Sequence, residues 1–502
     1  MRVVNWVFRG VAVASAIVLL ARGVLGPFLI VGSPLNAEIA LAVSTLGALL
    51  TERRQDAEPL VPGGARWVPI VLVVLAALIG YLPIVTMPLI TDDYTHIRQI
   101  GSGEAPTPLG CLTHACGGPR VFRPLGFSTY WAEWALWGKA AAPRHVFDLL
   151  LHALCSGMFF LLLRRLGVAP PLDLLAGLLF AWHGIRVEAV AWPGARFDTL
   201  ALLFSLAAAL SVLKGGKTGL AGAVLATCAA CLSKEAGFVL PVLLALVLGR
   251  AALTRAGAIL VGSSAVTATA VFAWRWVVLK GIGGYVQADG VTPSVLQFHP
   301  LVLVKSFLAR IWGVLWFPVN WSRPLEWWMM LGLGAGVVGT CLLLRSRPSR
   351  ERIALCIAGV AVACLPTYNM LLIGASLEQS RYLDCATPAF VLLLVFACAA
   401  LPRRAGRLAI ALMVVFQFAA LEHNLRIFSD VSNARYEYCR RLAQRAQTTE
   451  GKIVIDNVPI VVDGVFWRNG IEECLWVEFG IPMGKVQVVQ AGSGNSVSPA
   501  AR

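Results

Sequence analysis

The chain has 502 residues, of which 58% are hydrophobic and 14% charged, against roughly 25% charged in an average soluble protein. With a mean hydropathy of +0.74, this excludes a soluble globular enzyme, a disordered chain and a nucleic-acid-binding domain. It describes a polytopic membrane protein, whose net charge of +15 is accounted for mostly by loop arginines that set orientation.

The apolar runs fall in chain order at 11–31, 37–50, 67–90, 145–163, 172–192, 197–213, 219–232, 237–248, 256–279, 327–344, 353–373, 383–401 and 408–421. That predicts an all-α protein of about 13 transmembrane helices crossing a bilayer core of about 30 Å, a few shorter runs being kept where a partner run follows. The start carries arginines before a long apolar region with no convincing cleavage site, so no cleavable signal peptide is expected. Basic loops recur at Arg53/Arg54/Arg66, Arg164/Arg165, Lys214/Lys217, Arg250/Arg255, Arg345/Arg347/Arg350/Arg352 and Arg403/Arg404/Arg407. With the N-terminus inside, all of them fall on the cytoplasmic side. This requires that 299–318, apolar but carrying Lys305 and Arg310, be an interfacial or re-entrant helix on the outer face. An ordinary span there would place RSRPSRER outside.

Residues 1–66 then form an N-terminal hairpin and cytoplasmic linker, and 67–421 a membrane domain with outer loops at 91–144 and 280–326. Residues 422–490 form a small extracytoplasmic α/β domain, with an arginine-rich amphipathic helix at 425–447, strands in KIVIDNVP and KVQVVQ, and a short helix in RNGIEECLWVEFG. Residues 491–502 read as disordered.

Four constellations carry chemistry. TDDY places Asp92 and Asp93 directly after a span, where a carboxylate pair is costly to desolvate. It reads as a general base, a metal ligand or both, or as a solvated turn capped by Thr91. HGIRVEAVAWPGARFD gathers His183, Arg186, Glu188 and Arg196. Trp182 and Trp192 fit an interfacial belt, but Glu188 within VEAVAW does not. In CLSKEAGF, Lys234 and Glu235 pair with each other or with a ligand. Arg381 in EQSRYLD, and Arg123 in VFRPL, suit a phosphate through the planar guanidinium fork, or anchor at headgroups. Of the 12 cysteines, Cys111, Cys116, Cys439 and Cys474 face outside. An oxidising exterior permits Cys111–Cys116 and Cys439–Cys474 bonds. His114 lacks the further ligands that a metal site between the first two would need.

Taken together and in order, TDDY, FRPL with LWG and HVFDLLLHAL, HGIRVEAVAWPGARFD, LSKEAGFVLP, FPVNW and SRYLD resemble the integral-membrane glycosyltransferases of the C type (GT-C). They are most similar to the O-mannosyltransferases of the transmembrane and tetratricopeptide-repeat family and their bacterial relatives. The resemblance covers roughly 67–473, VDGVFWRNGIEE in the tail included. The chain departs from it at Gly184-Ile185-Arg186, where the family has Pro-Ile-His, and at Asp148, where it has asparagine. It lacks the tetratricopeptide repeats.

The resemblance implies transfer of a sugar, with mannose the family's choice, from a polyprenyl-phosphate donor to an acceptor hydroxyl. The acceptor is a protein or a glycan. The setting is the outer face of a bacterial plasma membrane, and the partners are lipids, not nucleic acid. Asp92 with Asp93 would take the acceptor proton. Arg381, Arg123, Arg196 and Lys234, in that order, would meet the phosphate charge. Glu188 and His183 would orient the acidic pair or the sugar. No metal is obligatory, although a divalent cation (Mg or Mn) is compatible with Asp92/Asp93. A lipid-sugar flippase or an inactive scaffold of the same fold are the alternatives.

Overall fold

The computed structural model describes residues 2–25, 33–51, 67–118, 120–284 and 298–489. The basic linker with Arg53, Arg54 and Arg66, most of the loop before 298, and the tail 491–502 lie outside them. Among the described residues, 12 helices are long and apolar enough to cross a membrane, and Trp327–Leu343 adds a shorter one. The protein is thus an all-α polytopic membrane protein, and these 13 helices overlap the 13 apolar runs of the sequence, the first starting earlier, at Val3, than the run at 11–31, whose last residues lie outside the described ones.

A helical hairpin comes first, α1 (Arg2–Leu25) and α2 (Pro34–Thr51), followed by α3 (Trp67–Tyr81). Next come two helices outside the set of spans, α4 (Asp92–Gly101) and α5 (Pro124–Trp137). Pro124 opens α5, where its missing N–H costs nothing, and Gly138 (φ 56°) ends it. The chain continues through α6 (Ala142–Arg165), α7 (Leu172–Ala181), the one-turn α8 (Val187–Ala191), α9 (Arg196–Lys214), α10 (Gly216–Ser233), α11 (Leu240–Leu248) and α12 (Arg255–Leu279). Then come α13 (Pro300–Lys305), α14 (Ile311–Trp316), α15 (Trp327–Leu343), α16 (Arg350–Cys364), α17 (Thr387–Ala399) and α18 (Arg403–Thr448).

Alternation of the spans brings every basic loop among the described residues to one end of the bundle. There Arg350 donates to the Thr51 carbonyl (3.2 Å) and Arg250 pairs with Glu351 (3.2 Å). The sequence-selected acidic residues and phosphate candidates gather at the other end, called here the site face.

Close helix packing rests on small residues. On α15, a Cβ at Gly332 or Gly336 would stand 2.4 Å from Ala419 or 2.5 Å from Phe416 of α18.

Three expectations change in detail. The stretch 299–318 is not simply laid on the surface. Its first half exposes Leu301 and Leu308, but α14 is buried throughout, and Gly313 meets Ile39 of α2. Apolar IWGVLW is thereby inserted into the bundle, while Lys305 stays exposed. Next, no break separates the last span from the tail. The 46-residue α18 is about 69 Å long at 1.5 Å per residue, so the expected boundary at 421/422 falls inside one helix. No proline or glycine interrupts it after Gly406. Third, Cys439 and Cys474 are buried neighbours whose thiols touch, yet they stand as free cysteines, whereas Cys111 and Cys116 are bonded.

The tail folds against α18 as expected for an α/β unit. Strand β1 (Ile453–Ile455) pairs in parallel with β4 (Val486–Val488), with α19 (Ile471–Phe479) in the crossover. Between them, β2 (Val461–Val462) and β3 (Val465–Phe466) form a hairpin. Its turn, Asp463-Gly464, has φ of 48° and 89°, the left-handed pair that a two-residue hairpin needs.

Candidate functional site

Helix α4 is amphipathic, and its first turn holds the acidic pair. The two carboxylates part company because adjacent helical positions point about 100° apart. Asp93 is fully buried, and its Oδ2 accepts from the Ile90 N–H at 3.0 Å. Burial pushes its carboxyl well above the usual range, and the neighbouring Asp148 and Asp92 add to this. Asp92 is half-buried, and no hydrogen bond or ion pair among the described residues engages it. Thr91 stands at the N-cap position but makes no side-chain cap bond. The solvated-turn reading therefore does not describe Asp93. No group of three or more His, Cys, Asp or Glu among the described residues has metal-binding geometry.

One turn on, His96 packs among Phe127, Tyr130 and Phe197, with ring centroids 4.8–6.0 Å away. Burial pulls its pKa down to about 4, so it is neutral near pH 7. Its sequence signal is the i, i+4 spacing from Asp92, which places the two on one face of α4.

The tail seats α4. Arg435 of α18 donates to the carbonyls of Trp467 (2.9 Å) and Asn469 (2.7 Å), and lies over the Tyr94 ring. The loop so held ends at Gly470 (φ 72°), where a Cβ would stand 2.2 Å from the Thr91 carbonyl oxygen. Only glycine fits that position.

Three of the four phosphate candidates converge. Arg381 forms an ion pair with Glu188, and its guanidinium lies 4.8 Å from the Trp192 ring and 4.6 Å from Tyr382. Glu188 also accepts from the Arg381 N–H at 3.0 Å and the Ser380 hydroxyl at 3.3 Å. Lys234 lies 4.7 Å over the same Tyr382 ring and pairs with Asp198. Arg123 is bonded through two nitrogens to Glu235 (2.7 and 3.1 Å), which also meets Arg275 at 3.5 Å. Lys234 and Glu235 therefore do not pair with each other. Tyr382, Asp198 and Arg275 complete the group. Tyr382 and Asp198 lie inside quoted motifs, but Arg275 carries no sequence signal beyond being a cation near the end of a span.

The fourth candidate is placed elsewhere. Arg196 is fully buried, held by Asp148 through two parallel bonds (2.8 and 2.9 Å) and by Glu133 at 2.5 Å. Glu133 in turn holds Arg144 at 2.6 Å. This four-membered network supports α5, α6 and α9 beneath α4 and does not present Arg196 to a ligand. His183 is also misplaced as a site residue. It is fully buried, its Nδ1 accepts from the Ile185 N–H at 3.4 Å to cap a turn, and its ring abuts Phe390. Arg186 beside it is paired with Asp384 at 2.6 Å. Glu188, expected to orient the acidic pair or the sugar, holds Arg381.

A small cleft of about 30 Å³ adjoins Glu188, lined also by Ser380, Asn320, Asn424 and the Asp463-Gly464 turn. Asn320 donates to the Asp463 carbonyl at 2.9 Å and Arg323 to its carboxylate at 2.9 Å, which fixes the hairpin over this cleft.

No family model matches the chain. A stretch of 103 residues, 20% of this chain, is 35% identical to protein O-mannosyl-transferase TMTC2 of Mus musculus and of Homo sapiens, and 34% identical to that of Xenopus laevis. It spans only 12% of each relative's length. Among solved structures, ArnT from Cupriavidus metallidurans bound to undecaprenyl phosphate aligns over 86% of this chain and 87% of its own, at 13% identity and a TM-score of 0.45. The arabinosyltransferase EmbB from Mycobacterium smegmatis aligns over 78% of this chain and 45% of its own, at 16% identity and a TM-score of 0.33. The chain is thus a polytopic membrane protein that, over a fifth of its length, is similar in sequence to protein O-mannosyl-transferases.

Proposed function

We propose that the protein transfers a sugar from a polyprenyl phosphate in the bilayer to an acceptor hydroxyl at the site face. One observation carries this reading: Arg381, Lys234 and Arg123 gather around Tyr382 and Phe197, on the same face as the half-exposed carboxylate of Asp92. The similarity to protein O-mannosyl-transferases supports glycosyl transfer, with mannose the first sugar to test.

Arg381, Lys234, Arg123 and Arg275 are held by Glu188, Asp198 and Glu235, and a sugar phosphodiester carries one negative charge for such cations to meet. The acceptor oxygen attacks the anomeric carbon, its proton passes to Asp92, and the bond from that carbon to the phosphate oxygen breaks. The departing phosphate monoester gains negative charge, and cations already held in place by carboxylates and aromatic rings stabilise it without reorganising. Asp93 acts on Asp92 through the shape of the helix start. No step needs a metal shared by the two carboxylates.

The arginine-rich loops at the opposite end support an extracytoplasmic site face, and so does the Cys111–Cys116 bond, which requires an oxidising compartment. A bacterial plasma membrane, with the N-terminus inside, is the setting proposed.

The test is an assay of purified protein in vesicles with a panel of polyprenyl-phosphate sugars, following release of polyprenyl phosphate. Release is expected, and Arg381→Ala is expected to lower donor affinity or rate by about one to two orders, the worth of a charge-assisted contact. Movement of the lipid across the bilayer without release would replace transfer by flipping. Unchanged donor use in Arg381→Ala would remove the phosphate site.

A further inference from the structure

The disulfide-closed loop between α4 and α5 is uncharged. Between Glu104 and Arg120 the sequence APTPLGCLTHACGGP contains no Asp, Glu, Lys or Arg. Its two leucines are turned outward: Leu109 is 80% exposed and Leu112 40%, while Cys111 between them is buried.

The position of the loop is fixed by a spanning helix. The indole N–H of Trp274 donates to the Leu112 carbonyl at 2.7 Å. Trp274 lies five residues before the site-face end of α12, Leu279, about 7.5 Å along the axis. It is on the outer surface of the bundle with Val277, both more than half exposed. Such a tryptophan belongs to the interfacial aromatic belt. The loop therefore hangs beside α12 at a depth below the helix end, not above it.

Its backbone is prepared for that depth, where unpaired polar groups are costly. Cys111, Thr113 and His114 donate to Thr107 and Gly110 carbonyls at 2.8–3.0 Å, and Leu112 donates to Leu109 at 3.1 Å. The Gly110 N–H reaches the Thr107 hydroxyl at 3.1 Å, and Trp131 donates to the Pro106 carbonyl at 2.7 Å.

We infer that the loop 105–118 is a membrane-seated element, with Leu109 and Leu112 inserted among the lipid chains of the site-face leaflet beside α12. Lipid is the occupant because the loop continues the lipid-facing surface of α12 through a hydrogen bond, and because the loop lacks the charges that would pair with a soluble partner. The inference stands independently of the proposed reaction.

The experiment uses the full chain in vesicles of phosphatidylethanolamine and phosphatidylglycerol. Leu109 is replaced by the photo-crosslinker p-benzoyl-phenylalanine, and Ser102, exposed just after α4, serves as the control position. Irradiation is expected to give a phospholipid adduct at 109 at least tenfold above that at 102, read by mass spectrometry. Equal or absent adducts with a normally folded protein would overturn the inference. Should the substitution prevent folding, the wild-type protein is labelled with a lipid-soluble and a water-soluble diazirine. Labelling of peptide 105–118 by the lipid-soluble reagent supports the seating, and labelling by the water-soluble reagent alone rejects it.

Discussion

Replacing Arg196 separates a structural cation from a phosphate-binding one. The side chain is fully buried and meets Asp148 at 2.8 and 2.9 Å and Glu133 at 2.5 Å. In Arg196→Met the volume is nearly kept, but Asp148 loses its bidentate partner, while Glu133 retains Arg144 at 2.6 Å. Stranding one buried charge costs about 3–5 kcal/mol. At about 2.1 cal/mol/K per residue, a chain of this size has an unfolding entropy of about 1 kcal/mol/K, so Tm should fall by about 3–5 °C. Removing both charges in Arg196→Met/Asp148→Leu should recover at least half of that, because paired apolar replacements of a buried ion pair are close to neutral. Thermal melts of the three proteins in one detergent decide the matter. A wild-type Tm in Arg196→Met, accompanied by loss of donor use, would refute the structural assignment and return Arg196 to the phosphate.

Asp92→Asn should lower transfer by about 10²–10⁴, whereas Asp93→Asn, whose amide oxygen still accepts from Ile90, should retain most activity; equal losses would show that the two act as a unit. His96 is held neutral with a pKa near 4 against an ordinary 6.5. The unfolded chain therefore binds the extra proton between those values, and the histidine's contribution to stability is lost as pH falls from 6.5 to 4, at up to about 1.4 kcal/mol per pH unit. Asp93, shifted upward by burial, acts in the opposite sense above its usual pKa. The clean readout is thus the difference in Tm between wild type and His96→Phe across that window, which should widen in favour of the variant toward pH 4. Gly470→Ala places a methyl 2.2 Å from the Thr91 oxygen at φ 72°, so transfer should fall at least tenfold with the spans intact; wild-type rates would show that the start of α4 is not held by this contact.

The spans were legible because a bilayer imposes a length and a polarity that a single chain displays directly. The short distance from Cys111 to Cys116 and the two valine-rich tail strands were legible for the same local reason. Charge pairing was not. Lys234 has Glu235 next to it in sequence, but the helix end points them to Asp198 and Arg123 respectively. Arg196 follows the same motif as Glu188 yet turns inward to Asp148. Which carboxylate an arginine meets depends on helices far apart in sequence, and no spacing rule carries that information. His183 failed as a site residue because a histidine that caps a buried turn has the same local pattern as one at a cleft. The continuity of α18 was hidden by the change from apolar to arginine-rich composition, which marks where the helix leaves the membrane and not where it ends.

The contact between Gly470 and Thr91 also orders events during synthesis. Helix α4 is made well before the residues that seat it, Arg435, the loop 467–469 and Gly470. Until those residues emerge, the chain has its acidic helix but lacks the surface that fixes it. Under the transfer proposed above, a product truncated after Leu421 would keep its spans and still leave α4 unseated, so assembly of the site waits on the tail and not on insertion of the helices.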